Sequence, residues 1–226
     1  AGALVLVGGG DPLLSSDWYP MSNLERRPVL NPTSLDALAD SVQAAGVSVV
    51  GGSVLGDGSR YDDEFFAPGW GNGVAGLEAG PYDALMVNDA RVLGEDRRAD
   101  DPNSAAAREF TRLLRDRGIV VAGEATAGSL PTAGDSVKVA SIESAPLTAV
   151  VEEMLTNSDN NTAELLVKEL AVAATPGAEG SRVAGLDVVA ASLDGWGVGM
   201  TGIVLSDGSG LSLENRLTCS ALLEVL

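Results

Sequence analysis

The sequence SAPLTAVVEEMLTNSDNNTAE, residues 144–164, decides the fold. Five apolar side chains in its first half recur at helical spacing: Leu147, Val150, Val151, Met154 and Leu155. They predict a buried helix, and Pro146 is suited to its first turn. After a polar break, Asn161 and Glu164 have the spacing of a capping box that begins a second helix. The stretch therefore predicts two packed helices joined by a short polar loop.

The loop between these helices carries Ser158, Asp159 and Asn160. A loop held by two packed helices can present the hydroxyl of Ser158 and the carboxamide of Asn160 to a cleft. Ser, Asp and Asn are also frequent in ordinary turns, because their short side chains bond to nearby backbone groups. The loop alone therefore leaves two interpretations open, a site and a turn, and Asp159 has no evident direct role.

Composition excludes several kinds of chemistry. The 226 residues are 45% hydrophobic, which is enough chain for one large or two small globular domains. They include no histidine and one cysteine, so the chain cannot form a Ser-His-Asp or Cys-His site, a His-ligated metal site or an internal disulfide. We expect no metal and no cofactor.

The charge balance bears on partners. There are 32 acidic residues against 14 basic ones, a formal net charge of −18, and the basic residues form no cluster in the sequence. Neutralising a nucleic-acid backbone requires clustered cations, so no nucleic-acid partner is expected. No apolar run approaches the roughly 20 residues of a membrane span, so none is expected in this chain.

Two stretches share one pattern, an amphipathic helix that ends on glycine and is followed by a short β-branched strand. The first helix, about residues 34–45, leads through Gly46 into residues 47–50. The second, about residues 104–117, leads through a glycine into residues 119–121. A third and looser copy has its helix at 183–193 and an extended run at 200–205. Alternating helices and strands predict a mixed architecture of the α/β or α+β class.

Three other features invite a function and are better explained by structure. GGGDP at residues 8–12 lacks the glycine spacing and the lysine of a phosphate-binding loop, so we interpret it as a tight turn. Cys219 lies among leucines and is predicted to be a buried, inert thiol. An acidic cluster lacks the alternation of a calcium loop and is interpreted as a solvated loop: Asp57, Asp62, Asp63 and Glu64.

Several segments, in order, resemble one family. Ser158-Asp159-Asn160, with Ala163-Glu164 after it, is similar to the Ser-x-Asn motif of penicillin-binding proteins and serine β-lactamases. SAPL at 144–147, LVGGGDP at 6–12 and DGSGLS at 207–212 resemble segments of the low-molecular-mass class C D-alanyl-D-alanine carboxypeptidase/endopeptidase family. The order of these segments matches that of the family along nearly the whole chain. Residues 102–118 resemble actinobacterial members in particular.

The resemblance implies a fold and a division of the chain. Members have a transpeptidase domain of helices around an antiparallel sheet, interrupted by accessory insertions. The charged segment 94–101 has the composition of a linker. We therefore assign residues 1–100 to the accessory inserted region and residues 101–226 to a partial transpeptidase domain that carries the Ser-x-Asn motif.

The resemblance also implies a reaction. In this family a serine, activated by a lysine three residues later, attacks the D-alanyl-D-alanine amide of a peptidoglycan stem peptide and forms an acyl-enzyme. Ser158 would relay a proton towards the leaving amine, and Asn160 would hydrogen-bond the substrate amide and orient the lysine. β-Lactams would bind the intact protein, which would be exported to the cell envelope. The site residues implied in this chain are Ser158 and Asn160.

The chain departs from the family in one respect. It contains neither Ser-x-x-Lys nor Lys-Thr-Gly, since neither Lys138 nor Lys168 follows a serine by three residues. Ser209 also lacks a lysine three residues on and is not expected to be a nucleophile. We expect a fragment whose nucleophile and base lie outside it and which is inactive alone. Two alternatives stay open: a non-catalytic paralogue that binds peptidoglycan or a partner protein, and an unrelated intracellular α/β domain.

Overall fold

The computed structural model describes residues 2–21, 29–131 and 136–226. Six α-helices lie in this part of the chain: α1 (Leu35–Ala44), α2 (Pro102–Asp116), α3 (Leu147–Asn157), α4 (Asn160–Ala174), α5 (Arg182–Gly195) and α6 (Cys219–Val225). Seven strands accompany them: β1 (Leu4–Val7), β2 (Leu14–Ser15), β3 (Thr33–Ser34), β4 (Val49–Val50), β5 (Val54–Asp57), β6 (Val120–Val121) and β7 (Thr126–Ala127). The predicted mixed helix and strand class is confirmed.

The strands pair in parallel. In the three-stranded sheet, β5 lies between β1 and β7, and two smaller sheets pair β2 with β3 and β4 with β6. Antiparallel pairing among the described residues is limited to isolated bridges, such as Val204 with Arg216. The antiparallel sheet that the resemblance implies for a transpeptidase domain is therefore not formed within the described ranges.

The first two helix-glycine-strand units form as predicted. Gly46 and Gly118 follow α1 and α2 with φ of 85° and 79°, a left-handed conformation that glycine adopts without strain. The strands that follow, β4 and β6, pair with each other. The third unit was predicted wrongly: α5 forms, but residues 200–205 contribute only the bridge at Val204. A short β-branched run becomes a strand only where a partner edge is available.

The main hydrophobic core joins residues from both sides of position 100. It includes Leu35 of α1, Val54 of β5, and Phe110 and Leu114 of α2. The sheet β1-β5-β7 also crosses this point, because β7 begins at Thr126. Packing is therefore continuous between the two predicted regions, and their division at residue 100 stays a prediction.

A second, smaller core attaches the irregular residues 58–90 to α4. It includes Tyr61, Tyr82, Met86 and Leu165, and Trp70 packs against it. The ring of Trp70 meets that of Tyr82 edge-on at a centroid distance of 5.9 Å. This core places residues 58–90 beside the helix that begins with the Ser-x-Asn loop.

Helices α4 and α5 approach very closely at one point. A Cβ atom on Gly185 of α5 would overlap the backbone carbonyl of Val167 in α4. Only glycine permits this backbone-to-backbone contact, so Gly185 sets the distance between the two helices.

Helix α3 forms at the predicted position but is not fully buried. Val150 is 4% exposed, whereas Leu147 and Leu155 are 65% and 72% exposed. The buried face instead includes Glu153, whose Oε2 accepts a hydrogen bond from the backbone nitrogen of Leu30 at 2.6 Å. The prediction that the whole apolar stripe is buried was wrong, because α3 packs through a narrower face than its sequence spacing allows.

Two further observations concern the surface. Cys219, predicted to be buried, is exposed at the start of the short helix α6. Only Ala221 is buried in that helix, so the surrounding leucines do not cover the thiol. Within the described ranges, no helix is both long enough and apolar enough to cross a membrane.

Candidate active site

Ser158 lies at the junction of α3 and α4. It ends α3 in a left-handed conformation, with φ 55° and ψ 48°, and its side chain is exposed. The backbone nitrogens of Ser158 and Asp159 both point at the carbonyl of Met154, and the Asp159 bond is 3.0 Å long. Only Ser158 and Asp159 separate the two helices, because α3 ends at Asn157 and α4 begins at Asn160. The predicted helix-loop-helix is confirmed, and its loop is shorter than expected.

Asp159 has a structural role that the sequence analysis missed. Its carboxylate accepts a hydrogen bond from the backbone nitrogen of Thr162 at 3.0 Å and so caps α4. The predicted capping pair, Asn161 and Glu164, is used for other contacts. Burial and the nearby charge of Asp89 raise the pKa of Asp159 to about 6.

Asn160 and Asn161 both contact one segment of the irregular region. Nδ2 of Asn160 donates to the carbonyl of Glu78 at 3.2 Å. Oδ1 of Asn161 accepts from the backbone nitrogen of Gly80 at 2.6 Å, and its Nδ2 donates to Asp89. Asn161 is 3% exposed, whereas Asn160 remains partly accessible. The side chain of the candidate residue Asn160 is thus tied to residue 78, next to the position where Asn161 binds Gly80.

Glu164 ties α4 to the DGSG turn that the sequence analysis also singled out. Its side chain is fully buried, and Oε1 accepts from the backbone nitrogens of Gly208 at 3.0 Å and Ser209 at 2.8 Å. Burial, opposed by these two hydrogen bonds, raises the pKa of the Glu164 carboxyl. Glu164 is 44 and 45 residues away from Gly208 and Ser209 in the sequence. The Ser-x-Asn segment and the DGSG segment, both of which resemble the family, therefore contact each other in the structure.

The DGSG turn is organised by Asp207. Its carboxylate accepts from Nε1 of Trp70 at 2.8 Å, from Nδ2 of Asn215 at 2.7 Å and from the nitrogen of Ser212 at 2.6 Å. Burial acts in the opposite direction, yet these hydrogen bonds hold the pKa of Asp207 below its ordinary value. The hydroxyl of Ser209 lies 3.4 Å from Asp207, an arrangement typical of a turn.

The acidic cluster is not the solvated loop that its composition predicts. Asp57 is 3% exposed and accepts from the nitrogen of Leu130 at 2.6 Å. Asp62 binds Nζ of the fully buried Lys168 at 2.6 Å, and Glu64 binds Nε of Arg182 at 2.7 Å. Basic residues of α4 and α5 thus pair with Asp62 and Glu64, which no local pattern reveals, whereas Asp63 is exposed as predicted.

The glycine turn at residues 8–10 is confirmed as structural. Gly10 has φ 82°, and a Cβ atom there would overlap Oε1 of Glu169 and the hydroxyl of Tyr61. A Cβ on Gly8 would overlap the backbone of Ala84. Gly8 and Gly10 are therefore packed against neighbouring groups of the protein, whereas a Cβ on Gly9 would meet no atom within 4 Å.

A groove of about 1390 Å³ runs between β1 and residues 136–145 and reaches α3 and α4. Its lining includes Val150 and Leu170, while Ser158 and Asn160 lie outside it. In residues 2–21, 29–131 and 136–226, no group of His, Cys, Asp and Glu side chains is arranged to hold a metal ion.

Comparison with known proteins shows which family the chain belongs to. The model of the D-Ala-D-Ala carboxypeptidase 3 (S13) family matches residues 1–95 and 86–226, which together cover the whole chain. The chain belongs to this family. It is 32% identical over 234 residues to a carboxypeptidase of Mycobacterium tuberculosis, covering 98% of this chain and 46% of that protein.

A further relative and two solved structures are similar to the chain. A D-alanyl-D-alanine carboxypeptidase of Actinomadura sp. strain R39 is 26% identical over 295 residues, covering 99% of this chain and 52% of that protein. The fold matches penicillin binding protein 4 of Haemophilus influenzae with a TM-score of 0.75 at 19% identity, covering 99% of this chain and 60% of that one. A structure of the same protein with a bound β-lactam gives a TM-score of 0.69. The chain thus spans about half the length of the curated relatives it matches.

Sequence reasoning placed the candidate pair and missed its surroundings. The segment 144–164 predicted the helices, the junction and the positions of Ser158 and Asn160. It did not indicate Asp89, Gly80 or Glu78, which contact the junction from a segment about 70 to 80 residues earlier. The one available signal was Asn161, a polar residue inside a helix whose side chain needs a partner when buried.

Proposed function

We propose that the whole protein is a serine D-alanyl-D-alanine carboxypeptidase or endopeptidase that acts on peptidoglycan stem peptides through an acyl-enzyme. The observation that carries this is the Ser158-Asp159-Asn160 junction, fixed between α3 and α4, in a chain that belongs to the S13 family. A β-lactam complex of the Haemophilus influenzae protein, whose fold this chain shares, supports β-lactam binding by the whole protein. Residues 101–226 would belong to its transpeptidase domain, and residues 1–100 to the accessory region.

In this proposal the two candidate side chains act on a substrate attacked by a serine from outside the 226 residues. The exposed Ser158 hydroxyl passes a proton towards the leaving D-alanine amine, together with the lysine of the Ser-x-x-Lys motif. The Asn160 carboxamide, already fixed by its bond to Glu78, binds the substrate amide and orients that lysine. The protein would work in the cell envelope after export.

Acylation by a fluorescent penicillin tests the proposal in the whole protein. Asn160→Ala is expected to slow acylation by about two to three orders of magnitude, the scale of losing one transition-state hydrogen bond. Glu152→Gln, on the exposed side of α3, is the matched control and should acylate normally. Near-normal acylation of Asn160→Ala would show that the residue assignment is wrong.

A non-catalytic paralogue remains the second candidate, because the 226 residues contain neither Ser-x-x-Lys nor Lys-Thr-Gly. The sequence of the whole gene distinguishes the enzyme from the non-catalytic paralogue. The enzyme requires a Ser-x-x-Lys sequence elsewhere in the whole protein, and the paralogue lacks one. The 226-residue chain alone should take no covalent label, and a serine-linked penicilloyl adduct within it would contradict the proposal.

A further inference from the structure

Two neighbouring side chains of the candidate site depend on the same short segment. Asn160 contacts the carbonyl of Glu78, and Asn161 contacts the nitrogen of Gly80. The Glu78 carbonyl and the Gly80 nitrogen lie two residues apart in the same stretch of backbone. Any shift of residues 78–80 therefore moves the contact of Asn160 as well as that of Asn161.

One member of an ion pair, Arg98, contacts this backbone segment at residues 77 and 80. The guanidinium of Arg98 donates to the carbonyls of Gly80, at 3.3 Å, and Leu77, at 3.4 Å, and also pairs with Asp89. The second oxygen of Asp89 accepts from Nδ2 of Asn161. A closed ring of contacts thus runs from Asn161 through Gly80, Arg98 and Asp89 back to Asn161. We call these four residues the Asp89 brace.

The brace is partly shielded from water. The side chain of Arg98 is 5% exposed and that of Asp89 17% exposed. Ion pairs in such surroundings are stronger than exposed ones, because less solvent screens them. The nearby ion pair of Glu64 with Arg182 lies towards the DGSG turn and outside this ring, because Arg182 also donates to the carbonyl of Ser206.

The backbone that carries Asp89 is unusual. Asn88, Asp89 and Ala90 all have positive φ, at 54°, 55° and 56°. Non-glycine residues rarely adopt this conformation, and such strain persists only where the surroundings fix it. Here Oδ1 of the fully buried Asn88 accepts from the nitrogen of Ser16 at 2.7 Å, which anchors the turn to the residue that follows β2. The turn directs Asp89 at α4.

We propose that Asp89 and Arg98 are positioning residues for the reaction, acting through Asn161 and Gly80 to hold the carboxamide of Asn160. This rests on the proposed function, since it assigns a role in the same site. Neither residue touches the substrate in this proposal. Their contribution reaches the reaction only through Asn160.

A double-mutant cycle in the whole protein tests that route. Asp89→Ala is expected to slow penicillin acylation about tenfold in the unsubstituted protein and less than about twofold in the Asn160→Ala background, as expected for coupled residues. Asp116→Ala is the matched control, because it removes an Asp–Arg pair on α2 that lies outside the brace. Equal slowing in both backgrounds would overturn the proposal. If Asp89→Ala does not fold, Arg98→Lys replaces it in the same double-mutant cycle. This variant keeps the charge but loses the guanidinium contacts to Leu77 and Gly80, so the same difference between the two backgrounds is expected.

Hydrogen exchange gives a readout that does not depend on acylation. Loss of Asp89 frees Asn161, so the Gly80 amide should exchange about tenfold faster in folded Asp89→Ala, while Asp116→Ala leaves it unchanged. Unchanged Gly80 exchange would refute the brace, whatever the activity. Failure of the unsubstituted whole protein to acylate would instead count against the proposed function.

Discussion

At the scale of single residues, the Asp159 carboxylate has two opposite effects on stability: its hydrogen bond stabilises α4, and the burial of its charge destabilises the fold. Its oxygen caps α4, and an N-cap of this kind contributes about 1 kcal/mol. Burial and the charge of Asp89 disfavour the ionised form and raise its pKa to about 6. Because the folded carboxyl binds its proton more tightly than the unfolded one, its ionisation makes the fold less stable as the pH rises from about 4 to about 6.

Asp159→Asn separates these two effects. Asparagine is as good an N-cap as aspartate but carries no charge, so the variant should be more stable than the natural chain above pH 7 by about 1 kcal/mol. The gain should vanish below about pH 3, where the natural carboxyl is mostly protonated in both the folded and the unfolded state. Urea unfolding at the two pH values measures this.

Asp159→Ala is the companion variant. It loses the cap at every pH and should therefore lack the stability gain of the asparagine variant above pH 7. A pH-independent difference between Asp159→Asn and the natural chain would show that the pKa of Asp159 is not raised.

At the scale of elements, the contact between α4 and α5 depends on Gly185. Replacing a helical glycine with alanine ordinarily stabilises a helix by about 1 kcal/mol. At Gly185 the added Cβ would overlap the carbonyl of Val167, and relief requires the helices to separate. We expect Gly185→Ala to lower the free energy of unfolding by about 2 kcal/mol.

Gly195 provides the control for this substitution. It is the last residue of α5, and a Cβ there meets no atom within 4 Å. Gly195→Ala should change the free energy of unfolding by less than about 0.5 kcal/mol. If both variants behave alike in urea unfolding, the close approach at Gly185 is not what spaces the helices.

The elements also show what sequence could and could not predict. Local periodicity and glycine positions predicted α1, α2 and the pair α3 and α4, because those signals act within a few residues. The cap of α4 was assigned to Asn161, since the pattern cannot reveal that Gly80 and Asp89 engage that side chain. The exposure of Leu147 and Leu155 was not predicted. The spacing of apolar residues in the sequence shows which side of α3 is apolar, but the neighbouring elements decide how much of that side is buried.

At the scale of the whole molecule, the dominant quantity is charge. With 32 acidic and 14 basic residues, the chain carries a formal net charge of −18 at neutral pH. Ion pairs such as Lys168 with Asp62 and Arg182 with Glu64 use basic residues to join α4 and α5 to residues 62–64. The remaining negative charges repel one another in the folded state.

Salt should therefore stabilise the chain. Raising the NaCl concentration from about 10 mM to about 150 mM screens the repulsion and is expected to raise Tm by about 3 °C at pH 7. At pH 4, where many carboxyls are protonated, the increase should be smaller. A fall in Tm with salt at pH 7 would mean that attractive ion pairs outweigh the repulsion.

The left-handed conformation of Ser158 has a consequence for how this family can evolve. Threonine would supply the same hydroxyl, yet a β-branched residue is strongly disfavoured at φ 55°. Glycine and asparagine accept that backbone but carry no hydroxyl group. Among these four residues, serine is thus the one that fits the backbone of this turn and also supplies the hydroxyl that the proposed proton transfer requires, so Ser158→Thr should be strongly disfavoured.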